Sequence, residues 1–151
     1  MNKGQFLAKF RAERATLDDR LALLSDAQLT MPPAPGEWSV KEALAHVTFW
    51  EQSMLARVRR AVSTGETMPW VDNEEETRLN AQILEDSQRR SLIDVLGENR
   101  RSFQQVIALV ESLPESDLID SQRFDWLEGK PLWEYLADEA YGEHYEEHLK
   151  F

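Results

Sequence analysis

The sequence predicts an all-α protein folded as a four-helix bundle. Apolar residues recur at steps of three, four and seven over long stretches, as they do on one face of an α-helix. Clusters of proline and glycine interrupt these stretches at intervals that suit connections between helices. No stretch alternates between apolar and polar residues for long enough to indicate a β-strand. Four amphipathic segments with short to medium connections are typical of a helix bundle, and we expect one domain over residues 1–151.

The first two helices are predicted from an apolar stripe and a capping motif. The first covers about residues 4–25, where one stripe is formed by Phe6, Phe10, Leu17, Leu21 and Leu24. The prolines of residues 31–36 end this helix, because proline cannot continue a helix. The second helix begins after Ser39, since Ser39 and Glu42 have the spacing of a capping box, and it runs to Gly65.

The remaining helices follow from charge and from further cap signals. A third helix is predicted from near Glu74, where acidic residues suit the positive end of the helix dipole. It is expected to kink or break between Ser87 and Ser91, because Ser91 has the features of a new N-cap, and then to continue to Pro114. A last helix is predicted from Pro131, a residue well suited to the first turn.

Composition excludes several classes of function. The net charge of -11 opposes binding to a phosphate backbone, so we expect no nucleic-acid partner. The basic group Arg57, Arg59 and Arg60 lies in a helical pattern flanked by acids and predicts a solvated face. The absence of cysteine excludes disulfides, thiolate ligands and a cysteine nucleophile. Without a signal-peptide core or a bilayer-length apolar run, we expect a cytoplasmic protein with no membrane partner.

The chain's three histidines are the candidate metal ligands. His144 and His148 stand at positions i and i+4 of the last helix, so their side chains share one apolar stripe, one turn apart. Such a pair taken alone is more often incidental than a metal site. His46 lies on an apolar face of the second helix, so all three imidazoles are expected to point inward. Three imidazoles suit a divalent metal such as zinc and leave a position open for water or substrate.

These residues resemble the DinB superfamily of four-helix bundles, and more closely its ClbS/DfsB-like branch. The resemblance rests on the order of one histidine followed by a His-x-x-x-His pair, and on GEWSVK at 36–41, AH at 45–46, FWE at 49–51, LNA at 79–81, PLWEYLA at 131–137 and HYEEH at 144–148. It implies a divalent metal ion, zinc or nickel, bound by His46, His144 and His148. The relation of this superfamily to thiol-dependent transferases implies an external low-molecular-weight thiol as a second cofactor.

Other polar and aromatic side chains are weaker candidates for a role at the site. Trp50 and Asn80 are candidates to line a ligand cavity, while packing and an interhelical hydrogen bond are the plainer explanations for them. Glu51 lies away from His46 on the helical wheel, and we expect it at the surface or in support of a metal ligand. The loop residues Trp70 and Trp126 favour a lid or a contact between the two copies of a homodimer.

Three functions are compatible with these features, and no catalytic residue is assigned. The first is a metal-dependent hydrolase or thiol-dependent transferase that acts on small electrophilic or toxic molecules. The second is a non-catalytic protein that sequesters a metal or a metabolite, and the third is an interaction module. Because all three histidines are candidate metal ligands, no serine has a histidine available as its general base. The nucleophile would then be metal-bound water or the external thiol. The enzyme ranks first and sequestration second.

Overall fold

The computed structural model describes residues 1–140 and 149, and these residues contain helices and no strand. The long helices are α1 (Lys3–Ala22), α3 (Val40–Thr64), α4 (Asn73–Arg89) and α5 (Leu92–Ser112). The shorter elements are α2 (Asp26–Thr30), α6 (Glu115–Ile119), a 3-10 turn (Asp125–Leu127) and α7, described over Leu132–Ala140. The all-α class is therefore confirmed, whereas α2 and α6 were not expected. None of the helices in this described part is long and apolar enough to cross a membrane.

The ends of α3 and α5 follow the local signals in the sequence. Ser39 Oγ accepts a hydrogen bond from the Glu42 backbone N–H, and the Glu42 carboxylate accepts one from the Ser39 N–H. Gly65 ends α3 in the left-handed region, with φ 76°, where glycine carries no steric penalty. Ser91 caps α5 by accepting from the Asp94 N–H, so the predicted break between α4 and α5 is confirmed.

Helix α3 is the central element, because it packs against α2, α4, α5 and α7. The core lies along α3 and is closed by α5 and α7, with side chains that are fully buried: Leu44, Leu55, Val58, Val106, Val110, Leu132 and Leu136. Since the faces of α3 meet different neighbours, the residues on one side of this helix are directed at α4 and α7, and those on the other side at α5. The candidate site lies on the first of these sides.

A buried polar network joins α1, α3 and α5 on the other side of the core. Asn99 of α5 is fully buried; its Oδ1 accepts from Arg14 Nη1 at 2.6 Å, and its Nδ2 donates to Thr48 Oγ1 at 3.1 Å. Arg14 Nε also donates to Asp18 Oδ1 at 3.0 Å. Buried polar groups cost free energy unless they are hydrogen-bonded. The hydrogen bonds of Asn99 form only when α1, α3 and α5 pack in this arrangement, so they favour it.

Glu51 belongs to the same side, and the surface position that we considered for it is not observed. Its carboxylate is fully buried and accepts from Ser102 Oγ at 2.5 Å. Ser102 in turn accepts from Gln52 Nε2 at 2.8 Å. Glu51 therefore ties α3 to α5 and is not among the residues that line the candidate site.

The substitution Asn99→Ala tests the structural role of this network. We expect it to lower the free energy of unfolding by about 2–3 kcal/mol, because the buried Arg14 guanidinium loses an acceptor and Thr48 loses a donor. Urea unfolding followed by circular dichroism measures the change. The exposed Gln105→Ala, also on α5, is the control and should stay within about 0.5 kcal/mol of the native protein. Equal losses in the two variants would show that the network does not stabilise the bundle.

Candidate functional site

One face of α3 forms the floor of a cavity of about 410 Å³, referred to below as the α3 cavity. Its floor residues follow one another at helical spacing and so share one face: His46, Trp50, Ser53, Met54 and Arg57. The walls come from α4, from α7 and from the loop that precedes α4: Glu76, Asn80, Tyr135, Glu139, Trp70 and Val71. This volume lies in the range of small-molecule sites, and polar groups from several helices converge on it.

His46 lies at one end of this floor and is only 4% exposed. It lies in the second turn of α3, where every residue from Ala43 to Thr48 is buried, so the neighbouring elements enclose this part of the helix on all sides. The Trp38 ring packs against the imidazole, with ring centroids 4.9 Å apart and planes inclined at 59°. Trp38 therefore restricts the orientation of the imidazole where it borders the cavity.

The other two predicted metal ligands, His144 and His148, lie outside the described residues. Within residues 1–140 and 149, no three side chains of His, Asp or Glu are placed to hold one metal ion. The donor groups that the structure does place around the α3 cavity are the His46 imidazole and the carboxylates of Glu76 and Glu139. These are nitrogen and oxygen donors, the ligand types that zinc and nickel accept in proteins.

Trp50 and Asn80, the two candidate cavity residues, both line the α3 cavity, Trp50 in its floor and Asn80 in its α4 wall. Trp50 Nε1 donates to Asn80 Oδ1 at 2.8 Å, which joins α3 to α4. The neighbouring Phe49 meets the Trp50 ring edge-on at a centroid distance of 5.1 Å. A hydrogen bond and an aromatic contact therefore both restrict the orientation of the indole.

Arg57 is a cavity residue that the sequence analysis did not identify. It is 5% exposed, so the predicted solvated face was wrong for Arg57, whereas Arg59 and Arg60 are exposed. Its guanidinium donates to three groups of the loop between α3 and α4: Thr67 Oγ1 at 3.1 Å, Pro69 O at 3.1 Å and Met68 O. Arg57 therefore binds the loop whose residues Trp70 and Val71 line the cavity and holds it against α3.

A signal for the burial of Arg57 is present in the sequence. His46, Trp50, Ser53 and Arg57 follow at steps of four, three and four, so Arg57 continues the stripe that begins at His46. Its two basic neighbours in the sequence fall on other faces of the helix. Helical position therefore predicts that Arg57 lies on the same face as His46, whereas Arg59 and Arg60 lie elsewhere on the helix.

Three aromatic rings meet beside Arg57 at the edge of the cavity. Trp126 and Tyr135 pack edge to face at 5.2 Å, and Trp70 lies 6.1 Å from each of them. The Arg57 guanidinium carbon lies 4.0 Å from the centroid of the Trp70 ring, a cation–π geometry. Trp70 remains 59% exposed while it lines the cavity, so it stands between the cavity and solvent. The two loop tryptophans therefore pack within one chain.

Tyr135 presents a protonated phenol to the cavity at neutral pH. Burial raises its pKa to about 12, and the nearby Glu139 carboxylate contributes to the rise. Arg57 opposes this shift through its positive charge and through a hydrogen bond with the phenol, but does not cancel it. A phenol with such a pKa remains a hydrogen-bond donor throughout the physiological range.

The raised pKa of Tyr135 predicts a loss of stability at alkaline pH. Its folded pKa of about 12 lies above the ordinary value of 10.0, so the stabilising contribution is complete below pH 10 and is lost as pH rises towards 12. An ultraviolet absorbance titration of the native protein should show tyrosine ionisation near pH 12. Tyr135→Phe should reduce the amplitude of that late step and the alkaline loss of stability. A late step of unchanged amplitude in Tyr135→Phe would contradict the assignment.

The comparisons with known proteins gave one match. The family model described as the DinB superfamily matches residues 9–149 of the chain, a range that includes His46 and every residue that lines the α3 cavity. Comparison with curated proteins and with solved structures gave no match.

Proposed function

The chain belongs to the DinB superfamily, and from this premise we propose that it is a metal-dependent enzyme that acts on a small molecule in the α3 cavity. The proposed metal is a divalent zinc or nickel ion held by His46 together with His144 and His148. The proposed reaction is hydrolysis of a small electrophilic molecule, or transfer of a low-molecular-weight thiol to it. Membership of the ClbS/DfsB-like branch is part of the same proposal and is supported by the sequence segments quoted above.

One observation carries this proposal: a buried imidazole borders a cavity of the size that small molecules occupy. A neutral imidazole is a ligand for zinc and nickel, and the carboxylates of Glu76 and Glu139 line the same cavity and add oxygen donors, so the types of donor fit such an ion. When bound, an ion of this kind lowers the pKa of water or of a thiol and so supplies a nucleophile at neutral pH.

The side chains around the cavity suit the binding of a polar substrate. The protonated phenol of Tyr135 is able to donate a hydrogen bond to a substrate oxygen, because its raised pKa prevents ionisation. The hydrogen bond between Trp50 and Asn80 joins the floor of the cavity to its α4 wall. Arg57 holds the loop that carries Trp70, and this loop supplies part of the wall of the cavity. In this proposal these groups orient the substrate, and none of them is a nucleophile.

Activity with and without metal tests this proposal. Protein purified without an affinity tag is stripped with a chelator and reloaded with zinc or nickel, and is then assayed with nitrophenyl acetate for hydrolysis and with chlorodinitrobenzene plus cysteine for thiol transfer. We expect turnover that is lost on stripping and regained on reloading, above the rate with the free ion. Equal rates for stripped and reloaded protein would contradict a metal-dependent reaction. Tight binding of a small molecule without turnover, unchanged by His46→Ala, would support the sequestration alternative instead.

A further inference from the structure

Arg57 places a buried positive charge at one end of the α3 cavity. It lines the cavity, and its side chain is 5% exposed. Within residues 1–140 and 149, no aspartate or glutamate forms an ion pair with this guanidinium. Its contacts are neutral oxygens of the loop after α3, the phenol of Tyr135 and the face of the Trp70 ring. Because buried charges are usually paired, an anionic group of a ligand suits this position.

Two hydrogen-bond donors remain for a ligand beside this charge. A guanidinium has five N–H groups, and those on Nη1 and one on Nη2 donate to the loop. A further N–H of Arg57 donates to the Tyr135 phenol, which leaves one N–H. Since the phenol oxygen accepts from Arg57 and remains protonated at neutral pH, its own O–H is the second donor. A carboxylate is able to accept one hydrogen bond on each of its two oxygens.

The Arg57 end of the cavity floor is distant from His46. Arg57 follows His46 by eleven residues of α3, which corresponds to about 16 Å along the helix axis. Trp50 and Met54 line the floor between them and present aromatic and apolar surface. All four residues line one and the same cavity, so a single elongated ligand is able to meet both ends. Its two ends then have different surroundings, an imidazole at one and a charged donor pair at the other.

We propose that the α3 cavity takes an elongated monocarboxylate, whose carboxylate is bound by Arg57 and Tyr135 and whose electrophilic group lies at the His46 end. Glu76 and Glu139 also line the cavity and oppose further negative charge, so a doubly charged phosphate monoester fits less well. Arg57 and Tyr135 are then specificity-determining residues that act away from the reacting atoms. This inference rests on the proposed function for the electrophilic end, and on the contacts of Arg57 for the carboxylate end.

The monohydroxamates of succinic, adipic, suberic and sebacic acids test this inference, each against the compound in which a primary amide replaces the carboxylate. The hydroxamate group chelates zinc, and the other end reaches further along the floor as the chain lengthens. Dissociation constants are measured at neutral pH on zinc-loaded native protein, on Arg57→Met and on Arg59→Met, an exposed position outside the cavity.

In native protein and Arg59→Met, the longer carboxylates should bind at least about tenfold more tightly than their amides, because hydrogen bonds between charged partners are the stronger ones. The succinic pair, which is too short to reach Arg57, should show a smaller difference. Arg57→Met should lose the preference, and Tyr135→Phe, which removes one donor, should reduce it about threefold. The ratio within each pair isolates the carboxylate, since release of the loop weakens both members alike.

Two results would overturn the inference: no preference for the carboxylate at any chain length in the native protein, or a preference of the same size in Arg57→Met. If Arg57→Met does not fold, Tyr135→Phe takes its place, and an unchanged preference in that variant overturns the inference.

If the protein holds no zinc, the proposed function fails by itself, and the carboxylate end is then tested on metal-free protein. Isothermal titration calorimetry compares phenylbutyrate with the neutral phenylbutyramide on native protein, Arg59→Met and Tyr135→Phe. A preference for phenylbutyrate in the first two proteins that is reduced in Tyr135→Phe supports the carboxylate site. Equal affinity for the two probes in native protein, or binding of neither, rejects it.

Discussion

Replacement of Arg57 by methionine is expected to lower the free energy of unfolding by about 2–4 kcal/mol and to release the loop between α3 and α4. Methionine keeps the apolar stem but removes the hydrogen bonds to Thr67, Met68 and Pro69, and bonds from a charged donor contribute about 1.5–3 kcal/mol each. Removal of a buried charge offsets part of that loss, so the expected change is smaller than the sum of the bonds. Urea unfolding measures the change in stability.

Loop release is measured separately, by amide hydrogen exchange of residues 65–72 in Arg57→Met. Their exchange should accelerate by a larger factor than exchange in α5, where the rate rises only as far as the lower free energy of global unfolding requires, because the loop opens without unfolding of the core. Arg59→Met is the matched control, since Arg59 is two residues away and exposed, and its effect on stability should stay within about 0.5 kcal/mol. Similar effects of the two substitutions would show that the loop does not depend on the Arg57 guanidinium.

His46→Ala is expected to weaken zinc or nickel binding by more than about 100-fold. Loss of a partner that only supports a ligand already costs about 10–100-fold in metal affinity, and loss of a ligand should cost more. Competition with a chelating dye measures the affinity. Ser53→Ala is the control, because Ser53 lines the same cavity and is not a proposed ligand. If His46→Ala and Ser53→Ala bind the ion equally well, His46 is not a ligand.

The helix boundaries of α3 and α5 were predictable because their signals are local. Ser39 with Glu42, and Ser91 with Asp94, act over a single turn of helix, so neighbouring residues are sufficient to place the helix starts. Helix α2 carries the same kind of signal, since Ser25 and Gln28 form a capping box, and it was therefore predictable although it was missed. Helix α6 has no side-chain cap, and the sequence gives no comparable sign of where it begins.

The candidate site was less predictable because its contacts are between distant parts of the chain. Helical periodicity places His46 and Trp50 on one face of α3, but it does not say that α4 and α7 complete a cavity there. The burial of Glu51 depends on Ser102, which belongs to another helix. The burial of Arg57 depends on a loop conformation that supplies acceptors for its guanidinium. Sequence spacing thus identified the face of the helix, and tertiary packing determined which residues the cavity contains.

His46 is proposed to belong to a metal site in the α3 cavity, and metal-resolved elemental analysis measures the occupancy of that site without an activity assay. The protein is purified without an affinity tag, so that no added histidines bind metal, and its zinc and nickel content per chain is measured before and after dialysis against each ion. We expect about one zinc or nickel ion per native chain, and a loss of that ion in His46→Ala. If the native protein holds no divalent metal and takes up none on dialysis, His46 belongs to no metal site.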